Sequence, residues 1–437
     1  MRTRQNLSWS ELRGARVGVW GVGVEGHANL RRLQAIAATP VLVDDEPAAG
    51  SGALRTDAGG LDALRACEVV VKTPGISRYR HEVRELEDAG VPVAGGLGLW
   101  MAEADRDRVA CITGTKGKST TTSIAGHLLQ RLGFRCFIGG NIGNPPWDPE
   151  AESHSDFWVI ETSSYQATDL TIAPRVVAVT SLHPDHLNWH GDLETYYRDK
   201  LSICTLPGAE VTVSNAEDPV VREHRSQLGE NVRWVPAEDL PAAWVDRLPL
   251  IGRHNVVNAL IAQAVLVELG VTQATEDATL AAAAEGFAPL EHRLQVIGTF
   301  AGVTFVDDSL STNVLPTLAA LDAFADRRVA LIAGGVDRGV DYESLATGVR
   351  SRRTPLLVLG VPANGPRIIE ALNAAGLTPM VETRLAADVA HATQLGLEWA
   401  KPDGVVLLSP AAPSFGEFRD YRERGAAFAA AMRRMAR

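Results

Sequence analysis

The stretch Val109-Ala110-Cys111-Ile112-Thr113-Gly114-Thr115-Lys116-Gly117-Lys118-Ser119-Thr120 decides the fold. Its first five residues are apolar or β-branched, as expected of a strand buried on both faces of a parallel sheet. A glycine turn and a helical pattern follow, and a strand feeding a helix through such a turn is the repeating unit of α/β proteins. In that setting the loop fits a phosphate cradle. Small glycines let backbone N–H groups approach phosphate oxygens, Lys118 supplies positive charge, and the Ser119 hydroxyl can ligate magnesium. The spacing departs from a strict Walker A loop, because Ile112 stands where its first glycine would be. A plain glycine-rich turn is the bland alternative, and Gly-Lys-Ser-Thr between strand and helix outweighs it.

Outward from this loop, two more segments follow the same strand, turn and helix order. The run Arg16–Trp20 leads into Gly21-Val22-Gly23-Val24-Glu25-Gly26 and a helical pattern through Leu33. Strands at Thr39–Val43 and Glu68–Val71 end at Asp44-Asp45 and Thr73-Pro74-Gly75, and the segment closes near Trp100. A charged stretch, Ala102–Arg108, separates it from the central segment, whose further strands are Asp156–Glu161 and Val176–Thr180. Beyond Phe287–Arg293, strands at Thr304–Val306, Val329–Ala333, Pro355–Leu359 and Gly404–Leu408 alternate with Ala- and Leu-rich helical stretches. The expected architecture is α/β with mainly parallel sheets in three domains, 1–105, 106–296 and 297–437.

Composition agrees with several cores. A chain of 437 residues exceeds one ordinary core, and 46% hydrophobic with 22% charged residues is globular composition. A net charge of -11 excludes a nonspecific nucleic-acid binder. Cys67, Cys111, Cys136 and Cys204 lie far apart without a CxxC pair, which suggests buried thiols. Met1–Ser10 lacks the apolar core of a signal peptide, and no run approaches the roughly 18 apolar residues of a membrane span. A cytoplasmic monomer, with no nucleic-acid or membrane partner, is the expectation.

Three further clusters carry chemistry. Gly21, Gly23 and Gly26 fit a dinucleotide fingerprint, with Asp44 or Asp45 at the distance of a ribose-binding acid. Alone they certify only a diphosphate-friendly turn, equally suited to a nicotinamide dinucleotide, a UDP-sugar or tight helix–strand packing. Glu161-Thr162-Ser163-Ser164-Tyr165-Gln166 closes an apolar strand, which puts a carboxylate at the mouth of a sheet, where it can hold Mg2+ against ATP phosphates. Ser163 or Ser164 also reads as a helix N-cap. In Thr180 to His190, three histidines within eight residues invite a zinc reading, against which a magnesium, substrate or structural role competes.

Together, in this order, these elements resemble the Mur ligases of peptidoglycan precursor synthesis, over nearly the whole chain. The matching patterns are Gly114–Thr120, Glu161–Gln166, Asp185–His190, Tyr196–Lys200, Gly252–Ala259, His292-Arg293, Asp308–Asn313 and Leu408–Phe415. The resemblance implies a Rossmann-like UDP-binding domain, a central P-loop ATPase-like domain and a Rossmann-like C-terminal domain that binds the amino acid. It implies that ATP lies on Gly114, Thr115, Lys116, Gly117, Lys118, Ser119 and Thr120, with Asn255, Asn258, Arg293 and Asp308 around the nucleotide. Magnesium would fall to Ser119, Glu161, His186 and a carbamylated Lys200. Gly21, Gly23, Asp44, Thr73, Pro74 and Gly75 would line the UDP site, and Asn141 would meet the sugar-peptide end. Lys118, His186 and Lys200 would be catalytic, His186 being one candidate base for the incoming amine. Without the resemblance, Lys200 reads as an ordinary surface lysine.

Within that family the chain is most similar to the glutamate-adding branch, whose substrates are UDP-N-acetylmuramoyl-L-alanine, glutamate and ATP. The amino acid would meet Thr312, Arg338, Ser414 and Tyr421. Leu310 and Arg338 stand where D-glutamate enzymes usually carry lysines, and Tyr421 replaces a common phenylalanine, so the branch implied adds L-glutamate. Arg338 keeps the charge on a planar fork suited to a carboxylate. The same reaction with D-glutamate, a folylpolyglutamate-synthase-like ligase, a nicotinamide-dependent oxidoreductase and a noncatalytic UDP-sugar sensor are the competing readings.

Overall fold

The computed structural model describes residues 7–151, 154–236, 243–337 and 339–436. Three sheets carry the fold. The first contains β1 (Arg16–Trp20), β2 (Thr39–Asp44), β3 (Leu54–Arg55), β4 (Val69–Lys72) and β5 (Val93–Gly95), in the order β3-β2-β1-β4-β5 with every pair parallel. The second contains β6 (Val109–Thr113), β7 (Cys136–Gly140), β8 (Phe157–Glu161), β9 (Val176–Val179), β10 (Val211–Asn215) and β11 (Val232–Val235), in the all-parallel order β11-β10-β9-β6-β8-β7. The third contains β12 (Gln295–Phe300), β13 (Val303–Asp307), β14 (Val329–Ala333), β15 (Leu356–Gly360), β16 (Val381–Leu385) and β17 (Val405–Leu408). Its order is β12-β13-β17-β14-β15-β16, and only the β12–β13 pair is antiparallel.

Sequence explains which strands are central. Every residue of β6, β14 and β15 is buried, as parallel strands covered by helices on both faces must be. At the rims, β3 has only two residues, and β16 (Val-Glu-Thr-Arg-Leu) exposes charge, two ways of blunting an edge against pairing with another chain.

By compactness the chain forms two units: Met1–Leu248 with Val257–Phe287, and Pro249–Val256 with Ala288–Arg437. The first unit holds two sheets around one continuous core, in which Val17, Val19 and Val71 join Val109, Cys111, Ile160 and Val179. A tryptophan seam reinforces it. Trp9 stacks on Trp147 at 6.1 Å, Trp9 Nε1 donates to Gly96 O, and Trp147 Nε1 donates to Asn29 Oδ1. A buried ion pair also joins the two sheets: Lys72 Nζ, at the end of β4, lies 2.6 Å from Asp169 Oδ2, with side chains 0% and 3% exposed. Arg78 Nε donates to the other Asp169 oxygen at 2.8 Å. Removing one partner of such a pair costs about 3–5 kcal/mol, because the other charge is stranded away from water. In the second unit, a core lies on each side of the third sheet, one built on Val306, Leu331 and Val358, the other on Phe305, Ile332, Leu359 and Phe428. Among the described residues no helix is long and apolar enough to cross a membrane.

Candidate active site

In parallel sheets the working loops leave the carboxyl ends of strands, beside the point where strand order reverses. The second sheet puts β9, β6 and β8 side by side, so Thr180–His186, Gly114–Thr120 and Glu161–Gln166 emerge together. Hydrogen bonds then lock the first two. Thr115 N donates to Ser181 O at 2.7 Å, Lys116 N to Ser181 Oγ at 2.9 Å, and His183 N to Thr115 Oγ1 at 3.0 Å. Gly117, at φ 90, caps the helix Lys118–Arg131 in the left-handed region; a Cβ there would sit 2.5 Å from Asn258 Oδ1. Only glycine meets both demands, and Asn258 thereby stands against the loop.

Cations crowd this loop. Lys118 Nζ donates to Gly114 O and Thr115 O at 2.9 and 3.1 Å, and Lys116 Nζ pairs with Asp185 at 3.3 Å. Lys200 Nζ donates to the same Gly114 carbonyl at 3.0 Å. Lys200 is 2% exposed, which corrects its reading as a surface lysine. Burial, then repulsion from Lys118 and Lys116, holds its ammonium pKa well below the ordinary lysine value, against partial support from Asp185 and Glu161. Such a group is biased toward the neutral, nucleophilic amine.

Glu161 is buried at the end of β8. Its Oε1 accepts from Asn141 Nδ2 at 2.7 Å, while Oε2 has no hydrogen-bond partner among the described residues. A buried carboxylate oxygen left over in this way suits a cation. His186, in the left-handed region at φ 52, is half-exposed. Desolvation lowers its pKa, with the three lysines adding and Asp185 opposing, which favours the neutral imidazole that metals bind. Magnesium is bound through few carboxylates, waters and substrate phosphates rather than a closed protein cage. Glu161, with the Ser119 hydroxyl, offers oxygen donors of that kind, and Lys200 would join them only as a carbamate. Zinc is not supported. Among the described residues no three His, Cys, Asp or Glu side chains gather for a metal, and the three histidines diverge. His183 faces Asp218, whereas His190 is buried with Nδ1 2.7 Å from Asp199 Oδ2 and Nε2 2.9 Å from Ser164 Oγ.

Sequence reasoning left His190 between metal, substrate and structural roles, and the structure makes it the middle of a chain. Tyr79 Oη donates to Asp199 at 2.7 Å, so Tyr79, Asp199, His190 and Ser164 form one line of bonds. Beside it Trp189 stacks on Tyr165 at 4.5 Å and donates to Pro74 O at 3.2 Å. Thr73-Pro74-Gly75 is thus tied to the short helix Leu187–His190, which precedes the helix Leu193–Leu201 that carries Lys200. Ser163 is the N-cap of Ser164–Ala167 in a capping box with Gln166, as its cap reading expected.

The switch point of the first sheet lies between β1 and β4. Gly21 has φ 92, and a Cβ on it would strike Thr73 Oγ1 at 2.1 Å, so the turn and the Thr73 loop touch. Asp44 does not project into open space. Its Oδ2 accepts from Val22 N at 2.6 Å and its Oδ1 from Glu46 N at 2.9 Å, a clamp on the glycine turn.

In the second unit, β13, β17 and β14 are neighbours, and loops at Asp308–Asn313, Ser409–Ser414 and Gly334-Gly335 leave their carboxyl ends. Asp308 accepts from Ser311 Oγ, Ser409 Oγ at 2.7 Å and Leu294 N at 3.1 Å. Burial lifts its pKa to about 6 despite these bonds and nearby Arg293. Arg424, absent from the sequence reading, is buried and binds the three loops through Ser309 O, Ala412 O and Gly334 O. Ser414 is buried, Thr312 exposed, and Tyr421 begins the last helix with its ring edge-on to His292 at 5.6 Å. Asn255 Nδ2 donates to Ile251 O at 2.8 Å. Arg338 lies outside the described residues.

Residues 112–236 match the Mur ligase middle domain, and residues 292–412 match the Mur ligase glutamate ligase domain. The chain belongs to the Mur ligase family. It is 41% identical to UDP-N-acetylmuramoyl-L-alanine--L-glutamate ligase of Micromonospora sp., over 97% of this chain and 98% of that protein. It is 40% identical to the enzyme of the same name from Xanthomonas axonopodis pv. citri, over 96% and 95%. Among solved structures, UDP-N-acetylmuramate-alanine ligase MurC from Thermotoga maritima shares the fold at TM-score 0.57 and 20% identity, covering 96% of this chain and 100% of that one. Folylpolyglutamate synthase of Mycobacterium tuberculosis, complexed with ADP, matches at TM-score 0.54 and 15% identity, over 75% of this chain and 91% of its own. This Mur ligase is therefore an ATP-dependent amide-forming enzyme, which overturns the oxidoreductase and sensor readings of the Gly21 turn.

Proposed function

We propose that this ligase joins L-glutamate to the terminal alanine carboxylate of UDP-N-acetylmuramoyl-L-alanine, using ATP and Mg2+ and passing through an acyl phosphate on the substrate. The observation that carries the reading is the gathering of the Gly114–Thr120 loop, Glu161, His186 and a neutral-biased Lys200 at the carboxyl ends of three adjacent strands. Relatives matched over nearly their whole length, whose names carry that activity, support the choice of substrate and of the L isomer.

Loop N–H groups and Lys118 hold and orient the triphosphate, leaving Lys118 to swing from its own loop carbonyls to phosphate oxygens. Bound Mg2+ neutralises phosphate charge; Ser119, Glu161, His186 and Lys200 would hold it. A neutral Lys200 amine can add to carbon dioxide and release a proton, giving a carbamate that supplies the anionic oxygens a lysine lacks. Gly21, Gly23, Thr73, Pro74 and Gly75 are assigned to the diphosphate and uridine, with Asp44 acting through the turn it clamps. Ser414, Thr312, Tyr421 and Arg338 are assigned to glutamate. The domain limits 1–105, 106–296 and 297–437 belong to this same proposal.

The test offers UDP-N-acetylmuramoyl-L-alanine and ATP with L- or D-glutamate, and reads ADP release and product mass. L-Glutamate alone should give the dipeptide-bearing product. Preference for the D isomer would reverse the stereochemical assignment, and joining of neither would sink the substrate reading.

A further inference from the structure

Arg424 stands in the first turn of the last helix, Tyr421–Met435, and is 1% exposed. Its guanidinium fans out over three loops. Nε donates to Ser309 Oγ at 3.2 Å, Nη2 to Ser309 O at 2.9 Å and to Ala412 O at 3.0 Å, and Nη1 to Gly334 O at 3.3 Å. These acceptors lie just beyond the carboxyl ends of β13, β17 and β14, which stand side by side in the third sheet. All of them are neutral oxygens. Burial lowers the pKa of Arg424 to about 10, with Asp307 and Glu417 opposing, so the group stays charged near neutrality.

Two glycines make room for this arrangement. A Cβ on Gly335 would lie 2.9 Å from Arg424 Nη1, and one on Gly425 would strike Asp307 Oδ2 and His292 Nδ1, each at 2.4 Å. The first leaves space for the guanidinium, and the second lets the start of the helix press against the end of β13. Ser309 Oγ, which accepts from Arg424, donates in turn to Tyr421 O at 2.8 Å. The helix start and the loop after β13 are therefore bound to each other in both directions.

The four positions assigned above to glutamate all hang from these anchors. Thr312 is three residues past Ser309, Ser414 two past Ala412, Arg338 four past Gly334, and Tyr421 three before Arg424. Loops leaving separate strands have no ladder to fix their mutual spacing. A planar fork that binds carbonyls from each of them supplies it. A pocket that presents an amine to an acyl phosphate needs that spacing held closely.

We propose that Arg424 is the positioning residue of the amino-acid site: one buried guanidinium sets the mutual spacing of the loops that bind glutamate, without touching it. The inference rests on the glutamate assignment made above.

The experiment measures KM for glutamate, with ATP and UDP-N-acetylmuramoyl-L-alanine saturating, in the wild type, Arg424→Lys and Phe428→Leu. Lysine keeps the charge and loses the fork. Arg424→Lys should raise KM for glutamate about 10- to 100-fold, with kcat at saturating glutamate within about fivefold. KM for the sugar nucleotide should stay within about twofold. Phe428→Leu controls for a loosened helix, since Phe428 lies one turn further along and packs on Phe305 in the core. It should lower Tm and leave KM for glutamate within about twofold. The proposal is overturned if Arg424→Lys leaves KM for glutamate unchanged, if it raises the glutamate and sugar-nucleotide KM values alike, or if Phe428→Leu raises KM for glutamate as much. Should Arg424→Lys not fold, Ser309→Ala takes its place. It removes the one hydroxyl between Arg424 Nε and Tyr421 O and should raise KM for glutamate about three- to tenfold, an unchanged KM again overturning the proposal. A wild type that joins neither isomer of glutamate fails the substrate reading itself, and the positioning role falls with it.

Discussion

The two glycine turns of the first unit use one backbone device for opposite electrostatic settings. Each follows a parallel strand, opens a helix and sits beside a reversal in strand order. Around Gly114–Thr120 stand Lys116, Lys118 and Lys200. Around Gly21–Gly26 the nearest side-chain carboxyls, Asp44 and Glu25, are bound to the turn or to the loop behind it. The difference matches the charge proposed for the ligand of each. A triphosphate with a transferring γ-phosphoryl group needs cations in the transition state, whereas a diphosphate that only anchors the substrate can be held by backbone N–H groups.

The sharpest way to break the comparison is Lys118→Ala. It should lower kcat by about 10³-fold, since a charge aimed at the transferring phosphoryl group is removed. Calorimetric affinity for UDP-N-acetylmuramoyl-L-alanine without ATP should stay within about twofold of wild type; a large loss there would mean that the two turns are not separate. Lys200→Arg comes next, with about 10²-fold expected in kcat, because a guanidinium remains charged at every working pH and cannot add carbon dioxide. Carbon-13 NMR of wild-type ligase under labelled carbon dioxide should show a carbamate signal that the variant lacks. Glu161→Gln should weaken activation by Mg2+ about 10–100-fold in a metal titration. Smallest is Asp44→Asn, which keeps part of the clamp on Val22 and should raise only the sugar-nucleotide KM, by about three- to tenfold. A change in the KM for ATP would remove the distinction.

How much of this was open to reading depended on how local the signal is. β6, β8 and β9 were legible because doubly buried parallel strands are continuous apolar runs, and the loops after them carry residue types at fixed spacing. β16 was not, since Val-Glu-Thr-Arg-Leu has the polarity of a rim, and β12 went unread because its Gln295–Phe300 run belongs to an antiparallel edge with a bulge between Val296 and Gly298. The cap at Ser163 was visible as a candidate; the bond from its Gln166 partner to Glu25 was not, because the two are 141 residues apart. Lys200 shows the limit most clearly. Lysine is rarely buried, so composition and periodicity read Lys200 as a surface residue, and only the family resemblance of Tyr196–Lys200 pointed inward.

The line from Tyr79 through Asp199 and His190 to Ser164 has a consequence for how such a sequence can change. Ser164, His190 and Asp199 are buried while Tyr79 reaches the surface, and losing a buried member leaves an unmade bond on the buried group it touched, at about 1–3 kcal/mol for each stranded group. Asp199 stands between two partners, so replacing it alone strands a buried imidazole nitrogen and returns a tyrosine hydroxyl to water. These four positions behave as one four-letter word: single misspellings are penalised, and a tolerated alternative has to rewrite several letters together.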